Sequence, residues 1–205
     1  MRVAALYDIH GMPWALDAVL AEVEADEIVV GGDWFGGPYE EETYERILRI
    51  ENATMIRGNA ENEDPRTSSL PLTAEIDGVV YCHATPTDNL PATTAITPDE
   101  DLAAMFGGHG MFVIGHTHHQ FDRRVGDLRV VNAGSVGMAY EGDVAAFWLL
   151  VEDGEPRFRR TTFDIAHAVE RVRASDWTLR DEFVAENLLV APDRDEAIAV
   201  LEARR

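Results

Sequence analysis

The chain contains no lysine: all 17 of its basic residues are arginine, set against 38 aspartates and glutamates, for a net charge of −21. Arginine-only usage fits either a biased genome or a salt-rich cytoplasm. A surface this acidic repels polyanions, which argues against duplex nucleic acid as a partner, and it draws cations in. Cysteine is nearly absent too. Cys82 stands alone, so no internal disulfide can form, and such usage agrees with a reducing compartment. No run of about 18 apolar residues occurs, which argues against a spanning helix and a membrane partner. The apolar start is interrupted at Asp8, too early for a secretion signal. The expectation is a soluble cytoplasmic protein, with its oligomeric state open. What is present is a hydrophobic content of 46%, enough for a real core and too much for a disordered chain.

Periodicity predicts a strand over 2–7, a helix over 13–25 with Pro13 in its first turn, and a buried strand over 27–30. A helix over 40–50 starts acidic and carries Arg46 and Arg49 later, as the helix dipole favours, and a third strand is expected over 54–57. Strands alternating with helices argue a parallel sheet, whose ligand crevice lies beyond the carboxyl ends of the strands. A further strand falls at 79–82, flanked by polar stretches at 61–71 and 84–98 that are long enough to be functional loops at a substrate rim. From 112 onward short strands at 112–115, 121–124, 129–132, 144–151 and 157–163 suggest a second sheet of antiparallel hairpins. Residues 1–163 then form the main domain, and 164–205, with helical spacing at Ala166, Val169 and Val172, a helical cap packed on it.

Chemistry gathers at the strand ends. Asp8-Ile9-His10 places a carboxylate and an imidazole two residues apart, facing the same way on an extended segment, as a divalent cation needs. The bland alternative is a capping Asp and a surface His. Gly31-Gly32-Asp33 and Gly58-Asn59 end the next two strands, His83 the fourth, and Gly115-His116-Thr117-His118-His119 puts three histidines in four residues directly after an apolar strand. Surface decoration does not explain that density. Were His116 and His118 each to take one cation, the two would sit about 3.5–4 Å apart, bridged by Asp33 and a water, with His83 completing the second position.

The order D-x-H, G-D, G-N, H, G-H-T-H resembles the metallophosphoesterase family, also called calcineurin-like phosphoesterases, over roughly residues 1–152. Val131-Asn132-Ala133-Gly134-Ser135-Val136-Gly137 further resembles the N-P-G-S-V stretch of the family's small bacterial and archaeal phosphodiesterase branch. The resemblance implies an α/β fold of two facing mixed β-sheets flanked by helices, a four-layer α/β/β/α sandwich. It implies Asp8, His10 and His118 on a first divalent metal ion, Asn59, His83 and His116 on a second, and Asp33 bridging. The ions would be Mn, Fe, Zn, Ni or Co, with Mn or Fe favoured by this reading.

The implied activity is hydrolysis of phosphodiester or nucleotide-type phosphoanhydride bonds in a small phosphorylated substrate, by a hydroxide bridging two metals, with Asp33, Asn59 and His83 as catalytic residues. One departure stands out. Many members read G-N-H-D or G-N-H-E, their His helping to protonate the leaving group, whereas this chain has Ala60. His119 or His109 is the candidate substitute, and acidic leaving groups such as aryl alcohols suffer least without a donor. His83 is followed by Ala84 where the family commonly has Gly. Arg57, Arg66, Asn59 and Phe35 are candidate substrate contacts, against the plainer readings of surface ion pairs for the arginines and core packing for Phe35. The rival functions are a phosphomonoesterase or protein phosphatase, and an inactive metal-binding scaffold such as the retromer subunit that shares this fold.

Overall fold

The computed structural model describes residues 1–204. Two five-stranded mixed sheets face one another. The first runs β10 (Glu155–Thr161), β9 (Ala146–Glu152), β1 (Arg2–Leu6), β2 (Glu27–Val30), β3 (Ala53–Met55). Within it β1 is parallel to β2 and antiparallel to β9. The second runs β4 (Thr73–Ile76), β5 (Val79–Cys82), β6 (His109–Ile114), β8 (Asp127–Asn132), β7 (Phe121–Val125). Here β6 is parallel to both β5 and β8.

The layering follows from the two-residue period of a strand. Val3, Ala5 and Tyr7 point inward with Val29 and meet Val79, Tyr81, Val113 and Val131 of the opposite sheet. The alternate residues Ala4, Leu6, Ile28 and Val30 face outward, onto Leu16 and Val19 of α1 (Pro13–Glu22) and Ala168 and Val172 of α4 (Ile165–Ala174). On the far side Phe112, Ile114 and Val130 pack against Leu102 and Phe106 of α3 (Asp99–Phe106). A sheet covered on both faces needs strands that are apolar throughout, which is why 3–7 and 146–151 show no polar alternation. The result is an α/β/β/α sandwich, as the motifs implied.

Several boundaries differ. The first helix stops at Glu22, because Val23 turns extended, and α2 (Glu40–Ile47) ends three residues early. The third strand is Ala53–Met55: beyond it Ile56 N–H still bonds to Val30, but Arg57 N–H goes to Pro71 O at 2.9 Å. Neither β4 nor α3 was expected. β4 is a four-residue edge with little burial, so it carries no hydrophobic pattern, whereas α3 had readable signals in Pro98 before it and Gly107, at φ 81°, after it.

The tail is helical as expected, in pieces: α4, α5 (Arg180–Phe183), a π-helical turn (Val184–Leu188) and α6 (Arg194–Glu202). Phe183, Val184 and Leu188 join the same core cluster as Leu6 and Trp34. Among the described residues no helix is long and apolar enough to cross a membrane.

Candidate metal centre

The seven ligand-type residues converge where β1, β2, β3, β5 and β6 end. The loop after β1 is stitched to the loop after β2: Asp8 N–H bonds to Gly32 O and His10 N–H to Asp33 O, both 3.0 Å. It is stitched on its other side to the stretch after β8, where Gly137 N–H bonds to Asp8 O at 3.0 Å and the Ser135 hydroxyl to the same oxygen at 2.7 Å. Space is tight enough to require glycine at Gly137, where a Cβ would stand 1.9 Å from Ile9 O. Asp8, His10, Asp33, His116 and His118 all hold left-handed backbone, with φ between 48° and 67°. Such conformations cost of order 1–3 kcal/mol each in residues with side chains, and they concentrate at ligand-clamping sites.

Two groups of possible ligand atoms result: Asp8, His10 and His118, and Asp33, His83 and His116, each with its atoms mutually within 4.8 Å. Asn59 joins the second through its Oδ1, 3.1 Å from His83 Nε2. The groups touch, since His83 Nε2 lies 3.5 Å from Asp33 Oδ2 and 3.9 Å from Asp8 Oδ1.

The donor chemistry fits divalent cations. Each of the four histidines spends one ring nitrogen on a backbone carbonyl: His10 Nδ1 on Phe35 O at 3.0 Å, His83 Nδ1 on Gly31 O at 3.0 Å, His118 Nδ1 on Met138 O at 2.7 Å, and His116 Nε2 on Leu90 O at 2.9 Å. A carbonyl can only accept, so those nitrogens carry protons, and in the neutral ring the other nitrogen presents a lone pair to the site. The lone-pair nitrogens then face each other, His10 Nε2 to His118 Nε2 at 3.1 Å and His83 Nε2 to His116 Nδ1 at 3.2 Å. Asp8 Oδ1 is buried with no hydrogen-bond partner. Atoms arranged this way repel unless a positive charge sits among them.

Without a cation among them, the carboxylates and imidazoles share protons instead. Burial alone would raise the Asp8 and Asp33 carboxyls, but neighbouring histidines outweigh it and hold both below the usual range. His83, which burial would neutralise, is pulled up to about 9 by Asp33 and Asp8. Burial and then the neighbouring imidazole lower His10 and His116.

Four supporting residues escaped the sequence reading. Glu61, fully buried, accepts four backbone N–H groups, from Asp33, Trp34, Phe35 and Gly58, at 2.7–3.1 Å, tying the second and third ligand loops together. Burial and then Asp33 push its carboxyl up to about 7. Asn89 bonds to Gly58 O, Asn132 to Gly115 O and the Thr117 hydroxyl, and Ser135 links Asp8 O to Met138 N. Glu61 and Ser135 lie inside motifs already quoted, so position was the available signal; Asn89 had none.

Other expected contacts lie elsewhere. His119 is fully buried, donating through Nδ1 to Thr117 O and accepting Ala95 N–H at Nε2, and burial drops it to about 4. A neutral ring with both nitrogens engaged away from the cage has no proton to offer a leaving group. His109 begins β6, at the opposite end from the ligands, and its Nδ1 faces Gly107 O. Phe35 packs in the core beside Trp34 and Tyr44, with Arg66 over its ring, which matches the plainer reading of it. Arg66 is engaged by Asp64 and Glu41, and Arg57 bonds to Ser68 O. Cys82 faces away from His83, into the α3 side of the second sheet.

This fold, with this set of ligands at its strand ends, defines a metallophosphoesterase. The model of the calcineurin-like phosphoesterase superfamily domain matches residues 1–154, and the chain belongs to that superfamily. A metallophosphoesterase from Sphaerobacter thermophilus superposes with a TM-score of 0.72 at 21% identity, over 84% of this chain and 93% of that one. A hypothetical protein from Pyrococcus horikoshii gives 0.71 at 18% identity, over 84% and 92%. The E. coli phosphoesterase YfcE gives 0.53 at 20% identity, over 80% and 100%. No curated protein matches the chain.

Proposed function

We propose that the chain is a metal-dependent phosphoesterase that binds two divalent ions, Mn or Fe before Zn, Ni or Co, and cleaves phosphodiester or nucleotide-type phosphoanhydride bonds in small phosphorylated substrates. The observation that carries this reading is the pairing of ring nitrogens, His10 and His118 with Asp8 and His83 and His116 with Asp33, while each ring's other nitrogen is tied to a carbonyl. When bound, two cations would acidify a water and neutralise charge on the phosphoryl oxygens.

The protein's own contribution is positional. Asp8, His10 and His118 would hold one ion, and His83, His116 and Asn59 the other, with Asp33 between. The carbonyls of Phe35, Gly31, Met138 and Leu90 fix the ring orientations, so little rearrangement accompanies reaction. Asn59, uncharged and beside His83, would also give a hydrogen bond to a phosphoryl oxygen through its amide N–H. No imidazole stands at Ala60, so leaving groups that depart as weak bases are favoured. The net charge of −21 speaks for a small substrate over duplex nucleic acid.

The test is hydrolysis of an aryl diester, an aryl monoester and a dinucleoside polyphosphate by the metal-loaded protein, with Asp33→Asn as control. Diester or polyphosphate cleavage that Asp33→Asn abolishes supports the reading. Preference for the monoester would make the chain a phosphomonoesterase. Metal binding with no hydrolysis, which the missing donor at residue 60 would favour, would make it a scaffold.

A further inference from the structure

Three cavities are lined by residues neighbouring the ligands, and residues from the C-terminal tail, outside the matched family domain, wall each of them. The largest, about 470 Å³, carries Leu90, whose carbonyl receives His116, together with Asp101, Leu201 and Arg204. A second, about 380 Å³, is lined by Tyr140, Glu186, Asn187, Glu196 and Arg204. Its Tyr140 ring packs on His118, with centroids 4.9 Å apart. The third, about 190 Å³, lies between Gly36, Met138 and Trp177. The wall is fixed in place. Arg194 bonds to Gln120 O, Gly142 N–H to Pro192 O, and Glu202 accepts the hydroxyls of Thr94 and Thr97, anchoring α6 at both ends.

Arg204 lines both larger cavities, one carrying Tyr140, which packs on His118, and the other carrying Leu90, whose carbonyl faces His116. It is exposed, and among the described residues it forms no ion pair with a carboxylate, unlike Arg46, Arg66, Arg123, Arg129, Arg160 and Arg171. Every other charged side chain lining these two cavities is acidic: Glu186, Asp193 and Glu196 in one, Asp101 in the other.

We propose that Arg204 is the specificity-determining contact for a second anionic group on the substrate, a phosphate beyond the scissile one, so that this phosphoesterase selects nucleotide-type phosphoanhydrides over diesters with uncharged substituents. The inference rests on the hydrolase reading above and deepens it. A guanidinium offers paired donors to two phosphate oxygens, and Arg204 supplies the positive charge among the described residues lining these two cavities.

The test compares Arg204→Gln and Arg204→Lys with the parent on diadenosine tetraphosphate and on bis(4-nitrophenyl) phosphate, alongside equilibrium binding of ADP to protein with and without added Mn²⁺. Arg204→Gln is expected to raise KM for the tetraphosphate and weaken ADP about tenfold, the loss of one charge-assisted contact. The aryl diester should keep its kinetics, and Arg204→Lys should recover part of the loss. Equal effects on both substrates, or ADP binding unchanged by Arg204→Gln, would overturn the proposal. If the parent hydrolyses neither substrate, the hydrolase reading falls, and ADP binding alone still decides the role of Arg204.

Discussion

His10 Nε2 and His118 Nε2 lie 3.1 Å apart, each ring having given its other nitrogen to a carbonyl, so both nitrogens turn toward Asp8 Oδ1, at 3.9 and 3.3 Å. His83 Nε2 and His116 Nδ1 face each other at 3.2 Å in the same way, and there Asp33 and Asp8 draw a proton onto His83. Both arrangements become favourable when cations enter.

Metal removal should therefore destabilise the fold itself. A ligand bound only by the native state adds about 2.7 kcal/mol at a hundredfold excess over Kd. Thermal unfolding after chelation is expected at a lower temperature, rising again with added Mn²⁺ in proportion to the logarithm of its concentration. A midpoint indifferent to chelator and to Mn²⁺ would mean that the cage does not bind.

Glu61→Ala should damage the site without touching a ligand. It strands four buried N–H donors, each worth about 1–3 kcal/mol when unsatisfied, so a loss of at least about 3 kcal/mol is expected in denaturant unfolding. Metal affinity should fall about 10- to 100-fold, as for other residues that orient a ligand loop. Wild-type affinity in a folded Glu61→Ala protein would show that the loop holds Asp33 unaided.

Gly137→Ala places a methyl group 1.9 Å from the Ile9 carbonyl, so the Asp8 loop or the 134–138 stretch must move. Overpacking of this sort costs about 1–3 kcal/mol, and here it also breaks the Gly137 N–H bond to Asp8 O. Gly78→Ala, with open space around it, is the control: it bears only the penalty of its positive φ and should retain metal. Equal metal content in both variants would contradict the close-packed account of the Asp8 loop.

Ala60→His tests the missing proton donor. General acid catalysis is typically worth 10²–10⁴-fold, so even a poorly aligned imidazole is expected to raise turnover of an alkyl ester by about tenfold. An aryl ester should gain little. Steady-state rates on the pair check this, and equal gains on both would argue against a role in protonation.

Much of this site was legible in the sequence because strand ends are punctuated. Asp8, Asp33, Asn59, His83 and His116 each follow an apolar run that a sheet must bury, and glycines mark the turns. The partition of ligands into two groups was not legible from spacing and came through the family resemblance. His119 misled because adjacency to His118 says nothing about which way a ring turns, and the left-handed backbone at His116 and His118 sends the next side chain inward. The cavities beside Tyr140 and Leu90 were invisible for a different reason. Their lining comes from 90–105, 140 and 186–204, and only the packing of the tail brings these stretches together.

The most direct test of the central claim is metal content, by elemental analysis of the purified protein after loading with Mn²⁺ and desalting. Two equivalents per chain are expected in the parent and at most one in Asp33→Asn, since the shared carboxylate is gone. A parent that retains one ion or none, or an Asp33→Asn protein that keeps both, would contradict a paired centre built around Asp33.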